Sequence, residues 1–146
     1  MSWGAYITNS LVNKQDAAGH VYNNVLTEAA LMGFNGAEWA KTSGLNISKA
    51  EVDKLNSLFK QSGANSIASV NLGGKKYQVT HYDGNAAYLK IKDGGATVAK
   101  TTQAYIIGVY NTTRKYKQDG KELPQCVGMC NMVVEELANQ LKGMNF

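Results

Sequence analysis

The chain has 146 residues, 44% hydrophobic and 18% charged, with one proline and scattered glycines; this suits one full core and excludes a linker-rich or disordered chain. No stretch approaches the ~20 apolar residues of a membrane span, and MSWGAYITNS lacks the basic-then-apolar layout of a secretory signal, so a cytoplasmic location is expected. A net charge of +4 suits acidic partners, an acidic protein face or an anionic lipid headgroup, and falls short of the dense basic footprint of nucleic-acid binding.

In chain order, Trp3, Ile7 and Leu11 recur at helical spacing with Tyr6 beside Trp3, which predicts an N-terminal helix with an aromatic stripe and Ser2 as its cap. AALMGFNGAEWAKT reads as a hairpin turning at Asn35-Gly36, where a tight type I′ turn is expected, and it places Trp39 on the second strand. NISKAEVDKLNSLFKQSG carries the capping-box pair Ser48 and Glu51, then Val52, Leu55, Leu58 and Phe59 on one face, with Gly63 as the expected stop.

From Ser66 to Asn111, runs rich in Val, Ile, Tyr and Thr are punctuated by Gly73-Gly74, Asp83-Gly84 and Gly94-Gly95, which predicts an antiparallel meander with those pairs as hairpin turns. NTTRKYKQDGKELPQ is polar, charged and ends near the sole proline, so it reads as an exposed loop or a short hairpin extension. CNMVVEELANQLKGMNF closes the chain with Val134, Leu137, Ala138 and Leu141 spaced for a helix laid across one face of the sheet, the middle helix covering the other.

Catalytic signatures do not emerge. His20 and His81 fall in no ligand or triad pattern, no nucleophile elbow occurs, and the glycine pairs have neither P-loop nor dinucleotide spacing. Cys126 and Cys130 cannot complete a tetrahedral zinc site without a histidine cluster and are expected to be reduced, buried thiols. The expectation is a protein without enzymatic activity, cofactor or metal.

MSWGAY, FNGAEWA, NLGGKKYQV, DGGATVAKTTQAYIIGVY and CNMVVEELANQL occur in the order and at roughly the spacing of profilins, so the chain closely resembles that family over most of 1–44 and 71–110 and again from Gln125. Residues 45–70 match in pattern only, and 111–124 look longer than the usual connection. The resemblance implies an α+β fold, a single domain over 1–146, with a central antiparallel sheet, the N- and C-terminal helices on one face and a further helix on the other.

It also implies two binding sites. Trp3, Tyr6 and Trp39 occupy positions of an aromatic groove for proline-rich peptides. On the last helix Gln140 stands where an aromatic or histidine is common, and Phe146 where many members end in tyrosine, so weaker or differently selective binding is expected. A proline-rich segment is already extended and loses little entropy on binding, and its carbonyls accept hydrogen bonds from indole and phenol donors.

For the site that binds monomeric actin, the resemblance matches Lys76, Gln78 and His81 to contact positions, puts Lys90 and Lys92 near a basic pair on the next strand, Asn131 and Glu136 at the last helix, and Gly128 near that helix's entry. Lys75, Lys76, Lys90, Lys92 and Lys100 are implied donors to a phosphoinositide such as phosphatidylinositol bisphosphate. Each lysine read alone fits an ordinary solvated strand face equally well. Arg114, Lys115, Lys117 and Lys121 either enlarge the basic surface or belong to a tolerated insertion.

The function implied is a cytoskeleton-associated adaptor that binds actin monomers, promotes their nucleotide exchange and meets proline-rich filament-assembly factors. The alternative is a signalling or trafficking scaffold on the same fold that keeps one of the two sites.

Overall fold

The computed structural model describes residues 2–60 and 67–146. Its first helix starts at Ser2, whose hydroxyl accepts the Ala5 N–H at 3.3 Å. One α-helical turn, α1 (Trp3–Tyr6), runs into a π-helical segment (Ile7–Val12) closed by Asn13 N–H to Thr8 O at 3.1 Å. The widened turn keeps Ile7 and Leu11 buried together. The expected helix is therefore present, with its second half in a different winding.

Strands β1 (Lys14–Gln15) and β2 (Val21–Asn23) follow, then the predicted hairpin of β3 (Glu28–Gly33) and β4 (Glu38–Lys41). Its turn differs from the expected type I′. Of Asn35-Gly36 only Gly36 has a positive φ, 88°, and Gly33 pairs with Ala37 across a three-residue loop, a turn followed by one left-handed glycine. Helix α2 (Lys49–Phe59) has the complete capping box, with Glu51 N–H to Ser48 Oγ and Ser48 N–H to Glu51 Oε1 both at 3.1 Å. Val52, Leu55, Leu58 and Phe59 form its buried face, and the expected stop at Gly63 lies outside the described residues.

The meander comprises β5 (Ser69–Leu72), β6 (Lys75–Tyr82), β7 (Ala86–Ile91), β8 (Gly94–Lys100) and β9 (Ala104–Asn111). Gly73-Gly74 forms a turn as expected. Gly94-Gly95 does not: the reversal lies at Lys92-Asp93, with Asp93 left-handed at φ 61°, and the two glycines open β8. They are required there by close approach. A Cβ on Gly94 would sit 2.4 Å from Tyr110 O, and one on Gly95 2.3 Å from Leu89 O.

All seven strands pair antiparallel in the order β4-β3-β9-β8-β7-β6-β5. Helix α3 (Val127–Gly143) and the N-terminal helix bury Leu11, Val133, Val134 and Leu137 against Leu31 and Ile106 on one face. On the other, α2 buries Val52, Leu55 and Leu58 against Met32, Val98 and Ile107. Gly108 sets the first of these distances, because a Cβ there would lie 2.6 Å from Val134 Cγ2 and 2.9 Å from Leu26 Cδ1.

The polar stretch before α3 is a hairpin, β10 (Lys115–Gln118) and β11 (Lys121–Pro124), reversing at left-handed Asp119 and Gly120. It joins a second sheet in the order β1-β2-β10-β11. Tyr116 and Leu123 on its inner side pack with Tyr22 and Cys126. The two cysteines divide: Cys130 is fully buried, which pushes its thiol up to about 12, whereas Cys126 is only half-buried as the residue preceding α3. The expectation of two buried thiols holds for Cys130 alone.

Candidate binding surfaces

Trp3 is the centre of an aromatic cluster. Its ring centroid lies 4.6 Å from that of Trp39, 5.7 Å from Tyr6 and 5.1 Å from Phe146, the last edge to face. Three separate elements thus bring together four of the five residues expected at the proline-peptide groove. Tyr6 is buried, Trp3 and Trp39 are half-buried and Phe146 is 37% exposed, so the cluster has a floor and an accessible surface. The fifth, Gln140, is exposed on α3.

Local chemistry places Phe146 there. Beyond the last turn of α3, Asn145 takes a left-handed φ of 65°, Asn145 N–H bonds Lys142 O at 3.1 Å and Phe146 N–H bonds Leu141 O at 2.9 Å. This is a Schellman-type stop, which turns the chain back across the helix end. Gln103 N–H and Thr101 Oγ1 then hold Phe146 O at 2.6 and 2.8 Å. Gly33 matters equally for Trp39: a Cβ at Gly33 would meet Trp39 Nε1 at 3.1 Å. Gly33 acts through its missing Cβ and Asn145 through its left-handed backbone, and neither carries a side chain into the cluster.

The second set of residues gathers around β6, β7 and α3. Strict alternation along β6 would put His81 opposite Lys76 and Gln78. A bulge between Val79 and His81 restores it to their face, because Gln78 pairs with Lys90 and His81 with Tyr88. Lys76, Gln78, His81 and Lys90 therefore share the α3 side of the sheet, and Lys92 joins Lys76 and Lys90 around an open cleft of about 430 Å³.

Tyr88, which the sequence did not single out, organises this face. Its ring stacks on His81 at 4.7 Å, and its hydroxyl donates to Glu135 Oε1 at 2.8 Å. Burial, then the Glu135 carboxylate, pushes its phenol up to about 12, so it stays a donor at neutral pH. Asn131 accepts from Thr97 on β8, beside this patch. Glu136 points elsewhere, forming an ion pair with Lys14 at 2.7 Å, and Gly128 is exposed in the first turn of α3.

The five lysines expected at a phosphoinositide do not form one patch. Lys76 and Lys90 lie on the α3 side, Lys75 on the α2 side of β6, and Lys92 at the sheet end lines clefts with both groups. Lys100 is five residues along β8 from Gly95, the partner of Lys90, or ~17 Å at strand rise. Its Nζ lies over the Phe34 ring at 5.7 Å. Among the described residues, no group of three or more His, Cys, Asp and Glu side chains is placed to hold a metal ion, and no helix is long and apolar enough to cross a membrane.

Fold and surfaces together define a profilin-type α+β protein: two helices on one face of a seven-stranded antiparallel sheet, an aromatic cluster where they meet, and a basic strand pair beyond α3. The Profilin family model matches residues 1–146, and the chain belongs to that family. Among solved structures it is similar to Acanthamoeba castellanii profilin II, at 30% identity and TM-score 0.77, and to profilin IB of the same organism, at 28% and 0.77; each match covers 99% of this chain and 100% of the other. LokiProfilin1, solved in complex with rabbit actin, shares the fold at 18% identity and TM-score 0.62, with 82% of this chain and 84% of that chain covered.

Proposed function

We propose that this profilin binds the actin monomer through β6, β7 and the adjoining edge of α3, and binds proline-rich segments on the Trp3, Tyr6, Trp39 and Phe146 cluster. The observation that carries this reading is the convergence of those four rings from both chain ends and the early hairpin, with Trp3 and Trp39 half-buried and Phe146 exposed. A polyproline II segment stacks its rings on such faces and takes hydrogen bonds through its carbonyls. Gln140 adds no ring and Phe146 no hydroxyl, so affinity is lower than a fully aromatic, tyrosine-terminated groove would give.

For actin, the support is family membership, a fold shared with a profilin solved on actin, and a contiguous exposed patch of Lys76, Gln78, His81 and Lys90. The lysines steer encounter with an acidic surface, while the central packed contacts set the lifetime of the complex. Binding at this face sequesters monomers from nucleation and promotes exchange of their nucleotide. Lys76, Lys90 and Lys92 also present phosphate-binding donors, so phosphatidylinositol bisphosphate competes with actin there, in a salt-sensitive way.

Assembly of pyrene-labelled actin tests the reading. The wild-type protein lengthens the nucleation lag, and Lys90→Glu relieves that effect while leaving the tryptophan-fluorescence response to polyproline intact. An unchanged lag at saturating wild-type protein contradicts the actin assignment, and no fluorescence or calorimetric response to long polyproline contradicts the groove.

A further inference from the structure

We infer that the β10–β11 hairpin is an additional arm of the actin-facing surface, an electrostatic contact for an acidic patch on the same actin monomer. This rests on the actin reading above. Both ends of the hairpin start from that surface. At one end Thr112 N–H and Thr112 Oγ1 both donate to Asp93 O, at 2.9 and 3.1 Å, which ties the hairpin base to the turn carrying Lys92. At the other, Pro124 is followed by Gln125 and then by α3, whose first turn carries Gly128. Gln125 clamps the junction, accepting from Thr27 Oγ1 and Asn111 N–H and donating to Asn24 O.

The hairpin is held as a surface rather than left as a loose loop. Its strands pair over four positions, and β10 pairs in turn with β2. At the tip Asp119 accepts from Val21 N–H at 2.9 Å and from His20 Nδ1 at 2.7 Å. Arg114, Lys115, Lys117 and Lys121 are exposed, and none forms an ion pair with a described residue. Two carboxylates oppose these four cations, and one of them, Asp119, is already engaged. Unpaired cations fixed on a rigid strand pair lose little freedom on meeting an acidic surface, so they raise association rate and affinity together.

The test compares K115Q/K117Q/K121Q with K49Q/K54Q/K60Q, a charge-matched change on α2 and its end, on the opposite face. Affinity for monomeric actin is measured at low and moderate salt. The hairpin variant is expected to bind about tenfold more weakly at low salt and to show a shallower salt dependence, while the α2 variant stays near wild type. Mass-spectrometric acetylation footprinting of the wild-type complex provides a variant-free measurement, with Lys115 and Lys117 expected to be protected by actin. Wild-type binding with an unaffected hairpin variant and unprotected lysines overturns the inference alone. Loss of capture on phosphatidylserine vesicles with unchanged actin affinity overturns it in favour of a membrane role. No wild-type binding to actin overturns the underlying reading itself.

Discussion

Asn145 shows how much of the aromatic cluster rests on one backbone angle. Its φ of 65° is tolerated because the short amide side chain relieves the steric cost of the left-handed region, and that angle returns Phe146 to Trp3. Asn145→Gly is therefore expected to keep polyproline affinity within about twofold, whereas Asn145→Val, β-branched and strained there, lowers it several-fold, roughly matching a ~1–2 kcal/mol conformational cost. Calorimetric titration of the two variants decides it; equal losses in both would remove the backbone from the explanation.

A second pair of residues titrates. The hydrogen bond that His20 donates to Asp119 holds the histidine above its ordinary value, and Val21 N–H, then His20, holds Asp119 below its own. A raised histidine contributes fully below its ordinary ~6.5 and loses that contribution as pH climbs through the higher folded value. A depressed carboxylate contributes above its ordinary ~3.9 and loses it as pH falls through the lower one. The clasp is thus complete between about 4 and 6.5 and loosens on the alkaline side. An NMR titration should place the His20 midpoint above ~6.5 and return it towards that value in Asp119→Asn, and an unshifted midpoint in the wild type would refute the clasp.

At the scale of elements, packing of α3 on the sheet depends on an absent side chain. Gly108→Ala drives a methyl into Val134 and Leu26, contacts of 2.6 and 2.9 Å that a filled core cannot absorb without shifting the helix. A loss of ~1–3 kcal/mol is expected, read as a lowered midpoint in thermal unfolding. If the midpoint does not move, the helix sits less tightly than described.

Val52, Leu55, Leu58 and Phe59 at helical spacing, with Ser48 and Glu51 ahead of them, encode α2 locally, so both cap and buried face follow from residue type. The β6 bulge is different: alternation in KKYQVTH points His81 away from Lys76, and only pairing with β7 reverses it. The N-terminal π-helical segment, the reversal at Lys92-Asp93 and the pairing of β10 with β2 also depend on distant partners. At Asp119-Gly120, by contrast, residue type and structure agree, because both positions take the positive φ of a tight hairpin turn, although the stretch reads from sequence only as a loop or a short hairpin extension.

At the scale of the whole molecule, one seven-stranded sheet carries the aromatic cluster and the basic patch at separate places, and the proposed function gives each its own partner. The aromatic cluster lies where α1, β4 and the end of α3 meet, whereas the basic patch lies on β6 and β7, at the far side of the seven-stranded order from β4. On the proposed reading a proline-rich partner and an actin monomer occupy different strands and make no demand on the same side chains, which lets both be bound at once. The most direct measurement is calorimetric titration of long polyproline into the protein, alone and saturated with monomeric actin. Polyproline affinities within about threefold of each other, a difference under ~1 kcal/mol, are predicted for the free and actin-loaded protein. Exclusion of polyproline by actin, or of actin by polyproline, would contradict the two-surface account.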